Sequence, residues 1–192
     1  MMDLPAGKFG AILADPAWSF RVWSEDTGAG RSPSAHYDTM SMADLAALPV
    51  ADCAADDCAL FCWACWPSFP EALEVIRSWG FTYKTIALVW VKGEGLPLFP
   101  DDIKTQVGMG YWTRANTEPC ILATRGSPKR LHADVRQVII DRRREHSRKP
   151  DDVHRRIERL VAGPYLDLFA RAPRAGWTTW GNETTKFPEA AE

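Results

Sequence analysis

The chain has 192 residues, 46% hydrophobic and 25% charged, the makeup of a globular protein with an ordinary core; a disordered or low-complexity polypeptide is excluded. It has no apolar run long enough for a membrane span and no basic start followed by an apolar stretch, so a cytoplasmic protein with a single domain over 1–192 is expected. The net charge of −2 hides an asymmetry: 12 of the 23 Lys/Arg but only 6 of the 25 Asp/Glu fall between Arg125 and Arg159, leaving 11 against 19 elsewhere.

The first apolar run, Ala11-Ile12-Leu13-Ala14, reads as a buried strand and ends in Asp15-Pro16-Ala17-Trp18. Asp-Pro is a common turn, and a plain strand exit would account for it. The same four residues also set a carboxylate, a backbone carbonyl and a flat ring at one sheet edge. Chemistry on the exocyclic amine of a base needs such a set. Two acceptors, one on each N–H, draw the delocalised lone pair toward sp3 character while the ring holds the base by stacking. Both readings stand at this point.

The segment 19–40 lacks regular periodicity and carries Trp23, His36 and Tyr37. Ser41 can cap a helix over 42–48. The run 59–63 reads as a strand and leads into Cys62-Trp63-Ala64-Cys65, which has the spacing of a redox or zinc motif. Residues three apart in a strand point to opposite faces, and no second Cys or His pair follows at zinc spacing. Reduced core thiols are therefore expected for all five cysteines, with no metal site. Pro70 to Trp79 has helical periodicity with Gly80 as its stop. Then come a strand at 85–91, a second aperiodic stretch at 93–117 containing Gly108-Met109-Gly110-Tyr111-Trp112, and strands at 120–124 and 137–140.

Arg142-Arg143-Arg144 and Arg148-Lys149 straddle the connection to a helix over 150–162. They read either as contacts to a phosphate backbone, with Lys149 turned inward, or as a solubilising patch. The last strands are 165–169 and 177–180. Strands apolar on both alternations and separated by helices predict a mainly parallel, doubly wound α/β sheet. Ligands of such sheets bind outside the carboxyl ends of the strands, where Asp15 to Trp18 would sit. Of the nine tryptophans, Trp63, Trp66, Trp79, Trp90 and Trp180 are expected in the core, and Trp18, Trp23 and Trp112 are candidates for stacking.

The final strand runs into Gly181-Asn182-Glu183, and the one before it into Ala170-Arg171-Ala172-Pro173-Arg174. An acidic residue at such a strand end can accept from ribose hydroxyls; an ordinary strand end is the other reading. No G-x-G-x-x-G or other phosphate cradle is present, so a ribose-bearing cofactor without phosphate, S-adenosylmethionine, fits better than a dinucleotide. The four histidines form no metal or triad pattern.

In their order these pieces resemble the MT-A family of adenine-N6 methyltransferases, most of all its small bacterial and phage members. The resemblance spans Phe9 to Glu183. It is carried by Asp15-Pro16-Ala17-Trp18, Tyr37-Asp38-Thr39-Met40-Ser41, Leu60-Phe61-Cys62-Trp63, Trp79-Gly80-Phe81 and Trp90-Val91-Lys92. It continues through Gly110-Tyr111-Trp112, Glu118, His146-Ser147-Arg148-Lys149-Pro150-Asp151, Leu168-Phe169-Ala170-Arg171 and Trp177 with Gly181-Asn182-Glu183. The catalytic motif precedes the cofactor strands, a permuted order for a Rossmann-like methyltransferase domain.

The resemblance implies that Asp15 and the Pro16 carbonyl accept the amine hydrogens and that Trp18 stacks on the adenine. By the same resemblance Lys149, Arg171, Asn182 and Glu183 bind S-adenosylmethionine, and Tyr37 and Trp112 meet the substrate. Ala17 stands where the family has a second proline, which loosens residue 16 and leaves both acceptors in place. The implied substrate is adenine in nucleic acid, DNA ahead of RNA. A cytosine-N4 methyltransferase and a non-catalytic nucleic-acid-binding relative are the alternatives. A homodimer or heterodimer is compatible with either.

Overall fold

The computed structural model describes residues 3–18, 40–93, 112–145 and 148–187. In chain order these form β1 (Phe9–Ala14), α1 (Met42–Ala47), α2 (Val50–Cys53), β2 (Ala54–Trp63), a 3-10 turn (Trp66–Ser68) and α3 (Phe69–Ser78). Then follow β3 (Thr82–Lys92), β4 (Thr117–Arg125), β5 (Val138–Asp141), α4 (Asp152–Leu160), β6 (Tyr165–Leu168) and β7 (Trp177–Trp180). Every strand anticipated from the apolar runs is present. So are the three helices anticipated from periodicity.

Local chemistry sets the helix ends. The Ser41 hydroxyl accepts from the Asp44 N–H at 3.1 Å and starts α1, a cap worth about 1 kcal/mol. α3 stops because Gly80 adopts φ +83°, so that Gly80 and Phe81 donate back to the Arg77 and Ile76 carbonyls. A β-carbon at that φ is disfavoured, which is why glycine serves there. α2, four residues after Pro49, was not anticipated: one turn is too short to show a period.

The strands form one seven-stranded sheet in the order β5-β3-β4-β2-β1-β6-β7. β1 pairs parallel with β2 and β6, β6 with β7, and β3 with β5. Both pairings of β4 are antiparallel. The sheet is therefore α/β but mixed, six strands one way and β4 reversed, where a mainly parallel, doubly wound arrangement was expected. The reason lies in the connection. A parallel return from β3 to its neighbour needs a crossover, usually a helix, and residues 93–117 carry no helical period. Apolar content marks a strand but not its direction.

Helices cover both faces, as period-two alternation along β1 requires. Ile12 and Ala14 pack with Leu45, Val75, Ile76 and Trp79 of the α1/α3 layer. Ala11 and Leu13 pack with Phe61, Trp63, Val153 and Ile157 on the α4 side. Trp63, Trp79 and Trp90 are core, as expected, and Trp180 is partly buried with its indole N–H on the Asp3 carbonyl. Trp66 is not core. β2 ends at Trp63, so Trp66 lies past the sheet and is 47% exposed.

β1 is central, with β2 on one flank and β6 on the other. The chain leaves β1 toward β2 and returns much later at β6. The order reverses there, which opens a crevice at the carboxyl ends.

Candidate active site

Asp15 follows directly on β1, and its backbone N–H donates to the Leu168 carbonyl of β6 at 3.2 Å. Its carboxylate meets Lys149 of the segment before α4, whose Nζ lies 2.9 Å from Oδ2 and 2.8 Å from Oδ1. The same ammonium is 3.5 Å from Glu118 Oε2 and 5.7 Å from the centre of the Trp63 ring. Glu118 in turn binds Lys92 through its other oxygen. Four charges of alternating sign, Asp15, Lys149, Glu118 and Lys92, thus run along the sheet edge from β1 to β3.

Burial pushes the Lys149 ammonium toward its neutral form, but Asp15 and Glu118 outweigh it and hold its pKa above the ordinary lysine value. Burial likewise acts to raise Glu118. Lys149 and Lys92 outweigh that too, so its carboxyl sits below the usual range.

A cleft partly open to solvent lies at this crevice. Its walls include Leu13, Asp15, Trp63, Lys149, Phe169 and Arg171. Phe169 adopts φ +65°, an uncommon region for a bulky side chain; its ring packs edge-on to Trp180 at 5.5 Å. Deeper in the wall, His154 Nε2 and Asp167 Oδ2 are 2.9 Å apart. Burial raises the Asp167 pKa despite the histidine beside it. Trp63 Nε1 and His154 Nδ1, both buried, have no hydrogen-bond partner among the described residues.

The structure brings Asp15, Lys149 and Arg171 into one cleft. Glu183 reaches it through Arg171, whose Nε is 3.7 Å from Glu183 Oε2. Asn182 is exposed and does not line the cleft. The Pro16 carbonyl accepts from the Trp18 N–H at 2.9 Å, which leaves one lone pair. Ala17 is partly buried. Trp18 is only 5% exposed, and its indole N–H donates to the Trp63 carbonyl at 2.7 Å. In this conformation its ring pins the β1 exit to β2 and does not present a stacking face. Trp112 is 99% exposed and Tyr37 lies outside the described residues, as do Trp23, His36 and His146.

Lys92 and the His154–Asp167 pair were missed by sequence reasoning, and Glu118 had no role assigned. The register Trp90↔Glu118 sets Lys92 diagonally beside Glu118, a relation that the strand pairing creates. Charged residues ending apolar strands were the available signal. The basic segment is largely neutralised within itself. Arg144 binds Asp151 at 2.6 Å, Arg148 pairs with Glu145, and Arg155 and Arg156 pair with Asp152. Arg142 and Arg143 stay exposed.

Comparison with known proteins identifies the family. The model of the family MT-A70 matches residues 9–183. The type II methyltransferase M.MunI of Mycoplasma sp is 33% identical, over 94% of this chain and 80% of that protein. A putative N(6)-adenosine-methyltransferase MT-A70-like protein of Medicago truncatula is 30% identical, over 95% of this chain and 27% of its own length. The human N(6)-adenosine-methyltransferase catalytic subunit METTL3 is 27% identical over 92% of this chain and 28% of its own. The chain thus spans about a quarter of the length of these plant and human relatives.

Proposed function

Because the chain belongs to the MT-A70 family, we propose that the cleft beside Asp15 is the active centre of an S-adenosylmethionine-dependent methyltransferase acting on adenine N6 in nucleic acid. One observation carries this assignment to the site. A carboxylate at the exit of the central strand is held by a largely buried ammonium inside a cleft, at the crevice where such sheets bind ligands.

The cofactor fits the groups present. Its amino-acid end carries a carboxylate, which Lys149 would hold at the cleft wall. Arg171 and Glu183 stand at the β6 and β7 ends, where ribose hydroxyls would find an acceptor, with Asn182 beside them. Two buried groups in the wall, Trp63 Nε1 and His154 Nδ1, have no hydrogen-bond partner among the described residues. When bound, S-adenosylmethionine supplies an electrophilic methyl group.

The protein's own part is orientation. Asp15 Oδ and the remaining lone pair of the Pro16 carbonyl accept one amine hydrogen each, which turns the nitrogen lone pair toward the methyl donor. The surplus proton passes to Asp15 or to solvent. Trp18 fixes the β1 exit against β2 so that both acceptors keep their places. Ala17 removes the restraint a second proline would impose, and an effect of about 0.4–1 kcal/mol, placed wholly on the barrier, would slow transfer less than tenfold.

DNA is put ahead of RNA because the relative whose length the chain nearly covers is named a type II methyltransferase. The test is Asp15→Ala, assayed with cofactor and adenine-containing DNA and RNA followed by nucleoside mass spectrometry. The parent should form N6-methyladenine in DNA and the variant none. N4-methylcytosine, or an Asp15→Ala variant as fast as the parent, would sink this reading.

A further inference from the structure

The carboxyl edge of the sheet has two parts, which meet between β1 and β2. On the β1-β6-β7 side lies the cleft assigned to the cofactor. On the other side the edge runs along the ends of β2 and β3, the start of β4 and the end of β5. This second half carries an unusual side chain. Trp66 is about half exposed yet firmly held. Its indole N–H donates to Thr117 Oγ1 at 2.9 Å, and its ring stacks on Phe69 with centroids 6.0 Å apart and planes at 28°. A large aromatic in water exposes apolar surface at a cost, and ordering it gains nothing for the fold beyond those two contacts.

Its position gives it a use. Ala14 is level with Cys62, so Asp15 is level with Trp63, and Trp66 begins the turn just beyond, one strand from the carboxylate. At the far end of the same edge β5 runs out into Arg142 and Arg143. Both are exposed and carry no ion pair among the described residues, while Arg144 and Arg148 are tied to acidic partners. From β1 to β5 is four strand spacings of about 4.8 Å, or roughly 19 Å. That is about five to six nucleotides of a B-form strand at 3.4 Å each. An anchored ring with exposed guanidinium groups further along one edge is the pattern of a nucleic-acid track.

We propose that Trp66 is a stacking platform for a base at or next to the target adenine, and that Arg142 and Arg143 hold phosphates of the same strand farther along. The nucleic acid then lies on the β2-β4-β3-β5 half of the edge, opposite the cofactor half. This assignment rests on the methyltransferase reading above. Stacking on an aromatic is sequence-tolerant, so Trp66 sets affinity and base placement, not the recognition sequence. The arginines act through charge and carry a salt-dependent share of binding.

The experiment uses the full chain and two DNA duplexes, one with adenine at the target position for methyl transfer and one with 2-aminopurine there for binding, with an RNA of the adenine-bearing sequence as a further arm. Trp66→Ala should raise KM for DNA about tenfold and weaken the 2-aminopurine change on binding, with cofactor affinity by calorimetry unchanged. Trp66→Phe should restore most of both. Arg142→Ala/Arg143→Ala should lower the slope of log K against log salt by about 1.8 at equal cofactor affinity. Variants that bind and methylate DNA like the parent, with the same salt slope, overturn the track. A stronger loss on RNA than on DNA would support the track with RNA as its occupant. A parent that methylates neither would instead overturn the methyltransferase reading, so the two failures are distinct.

Discussion

Glu118 is the residue on which the charge chain turns. It is shared between Lys149 and Lys92, and removing it would leave two partly buried ammonium groups facing one carboxylate, Asp15. Its folded-state pKa is lowered, so its contribution to stability is present above the unfolded carboxyl value and is lost as pH falls through the folded one. Glu118→Gln should therefore cost about 2 kcal/mol near neutral pH, and the difference should shrink toward zero in acid below the folded value. Urea titrations of both proteins across acid to neutral pH check this. A gap independent of pH would mean that Glu118 acts through shape and not charge.

Among the elements, β1 is the most constrained, because it carries Asp15 and is paired on both sides. Its second residue, Gly10, passes so close to the β6 approach that a β-carbon would lie 2.9 Å from the Ala162 carbonyl oxygen and 3.0 Å from that of Gly163. The Gly10 and Ala11 N–H groups both donate to the Pro164 carbonyl, which fixes that approach. The requirement is close contact, since its φ is ordinary. Gly10→Ala should destabilise by about 1–3 kcal/mol and lower activity with it, by shifting β1 against β6. Thermal and urea unfolding read the first, and methyl transfer the second. An unchanged Tm would show that the 162–164 segment yields freely.

On the scale of the whole molecule, the two packed faces leave the cysteines little access. Cys53, Cys58, Cys62 and Cys120 are buried, Cys65 is partly so, and all five are free thiols. Burial pushes each upward from its ordinary value, Cys58 to about 12. Thiolate is the reactive form, so a disulfide reagent at pH 8 should label the native protein slowly and all five thiols rapidly in urea. Rapid labelling of the native protein would contradict this packing. Cys62 and Cys65, at redox spacing in the sequence, pack against the same apolar layer, since Cys65 lies beyond the strand end.

Most of the elements are legible in local pattern, α2 excepted. Seven strands, the helix caps at Ser41 and Gly80, the placement of Asp15 at a strand exit and the exclusion of a phosphate cradle all follow from local pattern and turn chemistry, which act over a few residues. Family order then joined Asp15, Lys149 and Arg171 before any distance was known. Only the tertiary structure decided the rest. The direction of β4, the meeting of Lys92 with Glu118, the His154–Asp167 contact, the burial of Trp18 and the exposure of Trp66 depend on which strands pair and where they end. Side-chain period fixes which face a residue takes, but pairing direction fixes its neighbours, and it is neighbours that set charge, burial and access.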